Sequence, residues 1–294
     1  MNNPTIHATH LGKAFGDKQV LRDLFFDVMP GDVVGVLGKN GAGKTTLLEL
    51  MLGFTPPTTG EVSVFGHPSR RMPGAIKVRV GFVPQQDELL DPLTVRDQIR
   101  LVASFYPGWD SGLVARLCDE WHLDGRARIK SMSMGERQKL AIVLAVGQRP
   151  DLLVLDEPVA SLDPLARRQF LEQLVELSSD ERRAVVFSSH IVSDIERLAN
   201  RIWILKEGRL DWQGDLDSLK ESIVRLHLQC AAGLPQTLSI PSMLSLRRQE
   251  SGASAIAVVR DWTAAAQRQL EQQINGVVQA EALALEEIFL ELHR

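Results

Sequence analysis

The segment GKNGAGKT, residues 38–45, constrains the fold more than any other part of this sequence. It fits the pattern G-x-x-x-x-G-K-[ST] and lies between an apolar stretch, DVVGVLG, and a helical one, LLELMLG. The glycines let backbone N–H groups wrap around phosphates, while Lys44 supplies a positive charge and Thr45 a hydroxyl for Mg²⁺. The alternative is a glycine-rich turn that binds nothing, which requires that the segment match the phosphate-binding pattern by chance. The predicted nucleotide-binding residues of this loop are Gly38, Lys39, Asn40, Gly41, Ala42, Gly43, Lys44, Thr45 and Thr46.

A second motif, LLVLDEP at 152–158, places two carboxylates after an apolar strand. A strand that ends beside a phosphate-binding loop is where an acid that orders Mg²⁺ is needed, and we assign this role to Asp156. Glu157, one residue further on, can polarise an attacking water as a general base. Acidic residues are common at strand ends, so this motif depends on the loop upstream for its interpretation.

The composition excludes several classes of protein. The chain has 294 residues and a net charge of −4, so it lacks the basic excess of a nucleic-acid-binding protein. Cys118 and Cys230 lie far apart without metal-type spacing, which favours a reducing compartment. No signal peptide is recognisable, and the longest apolar segment is far shorter than the roughly 20 residues that span a bilayer. We therefore expect any membrane role to require a partner chain.

Strand-like and helical patterns alternate along most of the chain, which predicts an α/β fold with a mostly parallel sheet. Residues 6–11 and 20–28 alternate like strands at the edge of a sheet, and residues 87–147 have a helical pattern. Residues 202–214 read as a hairpin that turns at Glu207 and Gly208. After about residue 219 the pattern becomes that of a small α+β unit. We therefore predict an ATPase-type domain at 1–218, with a helical subdomain at about 87–147, and a C-terminal α+β domain at 219–294.

Four further segments narrow the family. VGFVPQ lies between the two motifs, MSMGERQKLAIVL precedes the second, and SLD (161–163) and FSSH (187–190) follow it. In this order, the whole set strongly resembles the nucleotide-binding subunit of ABC transporters over residues 4–215. The resemblance implies a P-loop NTPase fold with a mostly parallel sheet, an antiparallel β subdomain and a helical subdomain. The short helical region and the C-terminal LEEIFLEL resemble the bacterial exporter-type branch.

The resemblance also implies roles for individual residues. Phe15 falls where these proteins stack an aromatic ring on adenine, although a core Phe at a strand end is the alternative. Gln85 matches the glutamine that contacts Mg²⁺ and water, so that we count it as both a catalytic and a metal residue. Asp163 matches the acid in the loop exchanged between two subunits, and His190 the histidine that holds the γ-phosphate.

The segment MSMGE, residues 132–136, departs from the LSGGQ of the family at three of its five positions. In the family this segment opens a helix that binds the γ-phosphate held by the opposite subunit. Binding needs a small hydroxyl and a close approach of the backbone, and Ser133 and Gly135 retain these two features. Met134 replaces a glycine, which matters if that position needs a positive φ or close approach to nucleotide. Glu136 can be explained as part of an S-x-x-E capping box, but its carboxylate lies near an anion site. We interpret the segment as a tolerated variant.

The resemblance implies an ATPase that binds ATP and Mg²⁺. It also implies that the protein works as a head-to-tail homodimer or as a heterodimer with another ATPase subunit. The predicted docking surface for a separate transmembrane permease is DELLDPLTV, residues 87–95. These features imply a peripheral location on the cytoplasmic face of the inner membrane, and export as the direction of transport. Nucleic acid is not an expected partner.

Two other functions stay open from the sequence. One is a soluble ABC ATPase that acts on ribosomes or DNA, and the other is a regulatory, non-hydrolysing half of a heterodimer, which Met134 and Glu136 keep under consideration. For residues 220–294 the alternatives are a dimer contact or regulatory lid and a domain that only stabilises the fold.

Overall fold

The computed structural model describes residues 3–160, 162–178, 182–249 and 252–293. The chain divides into two compact units, Met1–Gln213 and Gly214–Arg294. Ser161, the first residue of the SLD motif, lies outside the described residues. The strands that begin in the first unit are β1 Ile6–Phe15, β2 Lys18–Val28, β3 Val33–Leu37, β4 Thr59–Val64, β5 His67–Pro68, β6 Val80–Val83, β7 Leu152–Asp156, β8 Ala184–Ser189, β9 Arg201–Lys206 and β10 Arg209–Asp215, the last of which ends two residues beyond the unit boundary. Its helices are α1 Lys44–Leu52, α2 Gly74–Lys77, α3 Val95–Ala103, α4 Ser111–Glu120, α5 Met134–Gly147, α6 Pro164–Ser178 and α7 Val192–Leu198.

A six-stranded sheet of order β10-β9-β3-β8-β7-β6 forms the centre of the first unit. The pairs β3/β8, β3/β9, β7/β8 and β6/β7 are parallel. Every residue of β3, β7 and β8 is buried, as expected for strands that are covered on both faces. The register pairs Leu37 with Ser189 and Asp156 with Ser188, so that the carboxyl ends of these three strands meet at one edge.

The antiparallel strands form a second sheet, of order β2-β1-β4-β5, which shares a core with the central sheet. Leu47, Leu48 and Met51 of α1 are completely buried in this core. Phe26 of β2 also packs in it, with its ring centroid 4.6 Å from that of Trp203 of β9. Burial of such aromatic side chains is a major contribution to the stability of a core. Helix α1 is therefore anchored along its length, which fixes the loop that precedes it.

The predicted helical region contains three helices, α3, α4 and α5. Thr94 caps α3 by accepting a hydrogen bond from the Asp97 N–H, and Asp110 caps α4 by accepting from the Leu113 N–H. Helix α5 is buried over most of its length, from Leu140 to Gly147. Gly147 is required at the end of α5, because a Cβ there would lie 2.6 Å from Val114 and 2.8 Å from Trp109. The indole of Trp109 and helix α4 therefore pack directly against the end of α5.

The second unit is a small α+β structure. Its elements are α8 Leu216–Ser222, β11 Ile223–Gln229, β12 Met243–Arg248, β13 Ser254–Arg260, α9 Ala264–Ile274, β14 Val277–Ala282 and α10 Leu285–Leu292. The sheet order is β12-β13-β11-β14, and all three strand pairs are antiparallel. One face forms a core with α9, in which Leu226, Leu270 and Ile274 are buried. On β11, Arg225 and His227 bond the Glu281 carboxylate of β14.

The predicted α/β fold, with its parallel sheet, antiparallel β region, helical region and C-terminal α+β part, is confirmed. The turn at Glu207 and Gly208 joins β9 to β10 with φ values of 50° and 76°, and a Cβ on Gly208 would lie 2.3 Å from the Val20 carbonyl oxygen. The short helices α7 and α8 were not predicted from the sequence. Their seven residues give too few repeats for a clear periodic pattern.

Candidate functional site

The loop 38–43 turns from β3 into α1 through left-handed glycines. Gly41 has φ 81° and Gly43, the residue before α1, has φ 106°. Close packing adds to this requirement, since a Cβ on Gly38 would lie 2.7 Å from the Leu205 carbonyl oxygen. No side chain caps the N-terminus of α1. The first N–H groups of that helix are therefore free of an internal cap and form a cradle for an anion.

Lys44, the first residue of α1, has only 7% of its surface exposed. Its ammonium donates a hydrogen bond to the Gly38 carbonyl oxygen at 2.9 Å and lies 3.3 Å from Glu157 Oε1. A buried charge requires partners of this kind, because the apolar surroundings do not replace water. A phosphate group that binds in the loop would compete with Glu157 for this ammonium.

Glu157 is the point at which the two sequence motifs meet. It follows β7, is 7% exposed and has φ 48°, a left-handed conformation that is unusual for a residue other than glycine. Its Oε2 lies 2.7 Å from His190 Nδ1, and the same oxygen accepts a hydrogen bond from the His190 N–H at 3.3 Å. An ionised Glu157 only accepts hydrogen bonds, so the 2.7 Å contact requires a proton on His190 Nδ1. The imidazole ring thereby orients the carboxylate.

Ser188 links the two acidic residues of the LLVLDEP motif. Its hydroxyl donates to Asp156 Oδ1 at 2.6 Å and accepts the Glu157 N–H at 2.8 Å. Ser188 is completely buried and Asp156 is 1% exposed. The sequence analysis used FSSH only as the context of His190 and missed Ser188. The change from four apolar residues to two serines at the end of β8 was the available signal.

A cleft of about 350 Å³ joins these elements. Its lining includes the loop, the first residues of α1, Gln85 and Glu157. Thr45 and Gln85, which are both exposed, thus face the same cleft as the two motifs. The residues that line the cleft are Lys18, Val20, Asn40, Gly41, Gly43, Lys44, Thr45, Thr46, Gln85 and Glu157.

The donors near this cleft fit a Mg²⁺ ion that is held partly by the phosphates of a nucleotide. Thr45, Gln85 and Asp156 offer a hydroxyl, an amide and a carboxylate, all of them oxygen ligands of the kind Mg²⁺ prefers. Within the described ranges of the chain, no three His, Cys, Asp or Glu side chains form a cluster able to hold a metal. One carboxylate supplemented by substrate phosphates is the usual arrangement for Mg²⁺.

Phe15 lies at the end of β1 and outside the lining of the cleft. Its side chain is 52% exposed, and Lys13 Nζ lies 4.6 Å from the centroid of its ring. Such a distance allows a cation–π interaction. The exposure argues against the alternative of a core phenylalanine at this position and leaves a ring face available to a ligand.

The MSMGE segment forms the start of α5, and here the predicted capping box is present. Ser133 Oγ accepts the Glu136 N–H at 3.3 Å, and Glu136 Oε2 accepts the Ser133 N–H at 2.8 Å. These hydrogen bonds hold the pKa of Glu136 below its usual value. Met134 is the first residue of the helix, has no positive φ and is 71% exposed. The backbone therefore does not require a glycine at this position.

Ser133, Gly135 and Asp163 do not line the cleft of their own chain. Asp163 instead caps α6, because its Oδ1 accepts hydrogen bonds from the N–H groups of Leu165 and Ala166, both at 3.0 Å. These bonds lower the pKa of Asp163, the bond from Ala166 most strongly. Its second oxygen lies 3.8 Å from Lys139 Nζ of α5.

An ion-pair network that the sequence analysis did not predict connects α5 with the segment after Gln85. Arg137 Nε and Nη2 donate to the Asp87 carboxylate, at 2.9 Å and 2.6 Å, and Nη1 donates to Asp91 Oδ1 at 2.7 Å. Arg137 also donates to the Ile129 carbonyl oxygen. The Arg137 bond holds the pKa of Asp87 below its usual value.

Comparison with known proteins gives a consistent result. The family model for ABC transporters matches residues 21–160. The Nod factor export ATP-binding protein I of Burkholderia orbicola is 36% identical over 228 residues, which are 76% of this chain and 74% of that protein. The ABC transporter ATP-binding protein YtrB of Bacillus subtilis is 29% identical over 223 residues, 76% of each chain.

Solved structures give the same result over about three quarters of the chain. The structure of an ATP-binding subunit of an ABC transporter superposes with a TM-score of 0.68 at 30% identity, over 74% of this chain and 92% of that one. A dimeric, post-hydrolysis ATP-binding cassette with bound ADP and Pi superposes with a TM-score of 0.64 at 23% identity, over 72% and 98% of the chains. At that identity the second similarity concerns the fold alone.

Proposed function

This chain belongs to the ATP-binding proteins of the ABC transporter family and is an ATPase, and from this premise we propose that it powers export through a separate membrane subunit. It works as a head-to-tail dimer in which the loop 38–43 of one chain faces the MSMGE segment of the other. Each part of this proposal is supported by a different region of the structure.

The phosphates of ATP bind at the loop 38–43 and at the N-terminus of α1. Lys44 exchanges Glu157 for the β- and γ-phosphate oxygens, since both compete for the same ammonium. Thr45, Gln85 and Asp156 hold Mg²⁺, which neutralises charge on the phosphates when bound. Phe15, with its exposed ring, stacks on the adenine base.

Glu157 acts as the general base on the attacking water. Release from Lys44 leaves its carboxylate with the His190 contact, which keeps it oriented at the end of β7. General-base catalysis contributes about 10²–10⁴-fold in rate, so that this residue carries a large part of the chemistry. His190 is half exposed and can therefore contact both Glu157 and the γ-phosphate.

The MSMGE segment acts in trans. Ser133 and Gly135 lie at the exposed N-terminus of the 14-residue helix α5, whose N–H groups and partial positive charge suit an anion. Ser133 Oγ also donates to Glu136 Oε2 at 2.8 Å, so a phosphate must compete with this carboxylate for the hydroxyl. Asp163 contributes to the dimer contact from the loop before α6.

The membrane subunit docks in a groove of about 530 Å³ between the central sheet and the helical region. The groove is lined by apolar side chains such as Phe54, Phe82 and Val102, with Arg70 and Glu88 at polar positions. Phe54 is 64% exposed, and its ring centroid lies 5.3 Å from that of Phe82. An exposed apolar groove of this size suits the apolar face of a short helix. Glu88 and Leu89 belong to the predicted docking segment 87–95.

No helix in the described parts of the chain is long and apolar enough to cross a bilayer. We infer that the protein lies on the cytoplasmic face of the membrane, where ATP is available. Export as the direction of transport is supported by the Burkholderia relative, whose name is that of an export protein.

The contacts of the Glu157 carboxylate with Lys44 of the phosphate-binding loop and with His190 are the observation that carries the proposal. Its test is light scattering of purified Glu157→Gln with and without Mg-ATP, since this substitution permits binding but blocks hydrolysis. We expect the mass to double with Mg-ATP. A chain that binds ATP and stays monomeric contradicts an autonomous homodimer and points to a different partner cassette.

Docking in the groove has its own test. Phe54→Asp places a charge in the groove and should abolish copurification of the membrane subunit, while the ATPase activity of the isolated chain is retained. Phe105→Asp is the matched control, because Phe105 is 67% exposed and does not line the groove. Equal loss of the membrane subunit in both variants contradicts docking at this groove.

A further inference from the structure

Among the residues that the structure describes, Ser188 is the one side chain with a hydrogen bond to both acidic residues of the LLVLDEP motif. The register of the parallel sheet brings this about, since Ser188 of β8 lies opposite Asp156 of β7. A hydroxyl can donate one hydrogen bond and accept others, and Ser188 does both: it donates to Asp156 Oδ1 and accepts from the Glu157 N–H. No apolar residue could replace either bond.

The bond to Glu157 holds a strained piece of backbone. Glu157 has φ 48°, and a left-handed conformation persists only where surrounding contacts enforce it. The Glu157 N–H is buried with the residue. Because the chain turns at this point, this N–H cannot form a backbone hydrogen bond between β7 and a neighbouring strand. Acceptance of this N–H by Ser188 therefore fixes the direction in which the Glu157 side chain leaves the strand, toward Lys44 and His190.

The bond to Asp156 fixes the rotation of a carboxylate. It involves Oδ1 at 2.6 Å, which is a short distance typical of a hydroxyl that donates to a charged oxygen. Partners of this kind behind a metal-binding carboxylate commonly change metal affinity or activity about 10–100-fold when they are removed.

We propose that Ser188 is a positioning residue of the ATPase site, which orients the Asp156 carboxylate for Mg²⁺ and holds the peptide that carries the general base Glu157. This inference rests on the roles of Asp156 and Glu157 in the proposed function. It adds a requirement for a hydroxyl at position 188 that those roles do not themselves contain.

The test compares Ser188→Ala, Ser188→Thr and Ser189→Ala. For the alanine variant at 188 we expect kcat to fall about tenfold or more with a small change in KM for ATP, because the groups that act on the transition state lose their orientation. The Mg²⁺ concentration that gives half-maximal binding of a fluorescent ATP analogue should rise by a similar factor. Ser188→Thr keeps the hydroxyl and should restore both quantities.

Ser189→Ala is the control for the loss of a buried serine. Ser189 is 1% exposed, but its hydroxyl bonds the backbone of Ile191 and neither carboxylate. Its Mg²⁺ dependence should stay near that of the unchanged protein. Equal Mg²⁺ dependence in the two alanine variants, or an unchanged kcat and Mg²⁺ dependence in Ser188→Ala, would overturn the proposal. Should Ser188→Ala not fold, Ser188→Cys replaces it under the same criteria.

Asp156→Asn and Glu157→Gln, measured in parallel, distinguish a failure of the proposed ATPase function from a failure of the role of Ser188. If these two variants hydrolyse ATP normally, the proposed function of the motif is wrong. If they are impaired and Ser188→Ala is not, only the role of Ser188 is wrong.

Discussion

Glu157 combines three properties that rarely occur together in one residue. It is buried, it has a left-handed backbone, and its carboxylate contacts both Lys44 and His190. The positive charge of Lys44 balances the negative charge of the Glu157 carboxylate. This ion pair has to break before Lys44 can bind a phosphate instead. At the scale of single residues, the ion pair thus links the proposed phosphate contact of Lys44 to the release of Glu157, the proposed general base.

Glu157→Gln is expected to strengthen ATP binding while it removes hydrolysis. The neutral amide competes less with phosphate for the Lys44 ammonium, so Kd for a fluorescent ATP analogue should fall several-fold. Turnover, followed by phosphate release, should fall about 10²-fold or more. Glu61→Gln, on an exposed residue of β4, is the control and should leave both quantities unchanged. Weaker ATP binding by Glu157→Gln would contradict the competition.

Glu136→Gln is expected to favour ATP-driven dimerisation. A glutamine at this position can still complete the capping box, so the free energy of unfolding should change by less than about 0.5 kcal/mol. The negative charge at the N-terminus of α5 is removed, which favours an incoming γ-phosphate. In the Glu157→Gln background, the ATP concentration for half-maximal dimerisation should fall several-fold. An unchanged or higher concentration would show that Glu136 does not oppose closure.

At the scale of elements, Arg137 ties helix α5 to the segment that follows Gln85. The Arg137 side chain is 20% exposed and that of Asp87 is 14% exposed, so this pair is better shielded from water than an ordinary surface ion pair. Arg137 directly follows the proposed trans-acting segment MSMGE in helix α5, and Asp87 lies two residues after Gln85 of the cleft. Displacement of either element therefore requires the other to move or the ion pair to break.

Arg137→Ala is expected to destabilise the protein by about 2 kcal/mol, since it leaves the Asp87 carboxylate without its main donor.

The pKa of Asp87 is lowered in the folded chain from an ordinary 3.8. The stabilisation is therefore complete above about pH 4 and is lost as the pH falls through the lower, folded-state pKa. Denaturant unfolding of Asp87→Asn and the unchanged protein at several pH values should show this. A difference in stability that grows toward low pH would contradict the assignment.

The sequence predicted these elements well and their side-chain links poorly. Short apolar runs located β3, β7 and β8, and a helical pattern located α5, because burial of an element imposes a pattern that is local in sequence. Arg137 and Asp87 are 50 residues apart, and nothing in the local pattern indicates that they meet. The capping box at Ser133 and Glu136 is the exception, since its two members are three residues apart.

At the scale of the whole molecule, the two units have separate cores. Leu47 and Leu48 belong to the core of the first unit, and Leu226 and Leu270 to that of the second. A unit with its own core can in principle fold by itself. All the residues of the proposed nucleotide site lie before Gln213.

A fragment that ends at Asp215, where β10 ends, is therefore expected to fold and to bind Mg-ATP with Kd within about threefold of the full chain. Circular dichroism and a fluorescent ATP analogue test these two expectations. Dimerisation of the same fragment in the Glu157→Gln background then tests the hypothesis of a dimer contact in the second unit. A fragment that dimerises like the full chain would leave the second unit without that role.

The pairing of Ser188 with Asp156 also has a consequence for how the central sheet assembles. β7 and β8 are buried along their whole length, so they lack the inside–outside alternation that normally fixes how two strands align. A one-residue slip that sets Phe187 opposite Asp156 would bury the carboxylate without the Ser188 hydroxyl, at a cost of about 1–3 kcal/mol or more. The polar ends of these two apolar strands thus favour the native alignment over that slip, whether or not a nucleotide is bound.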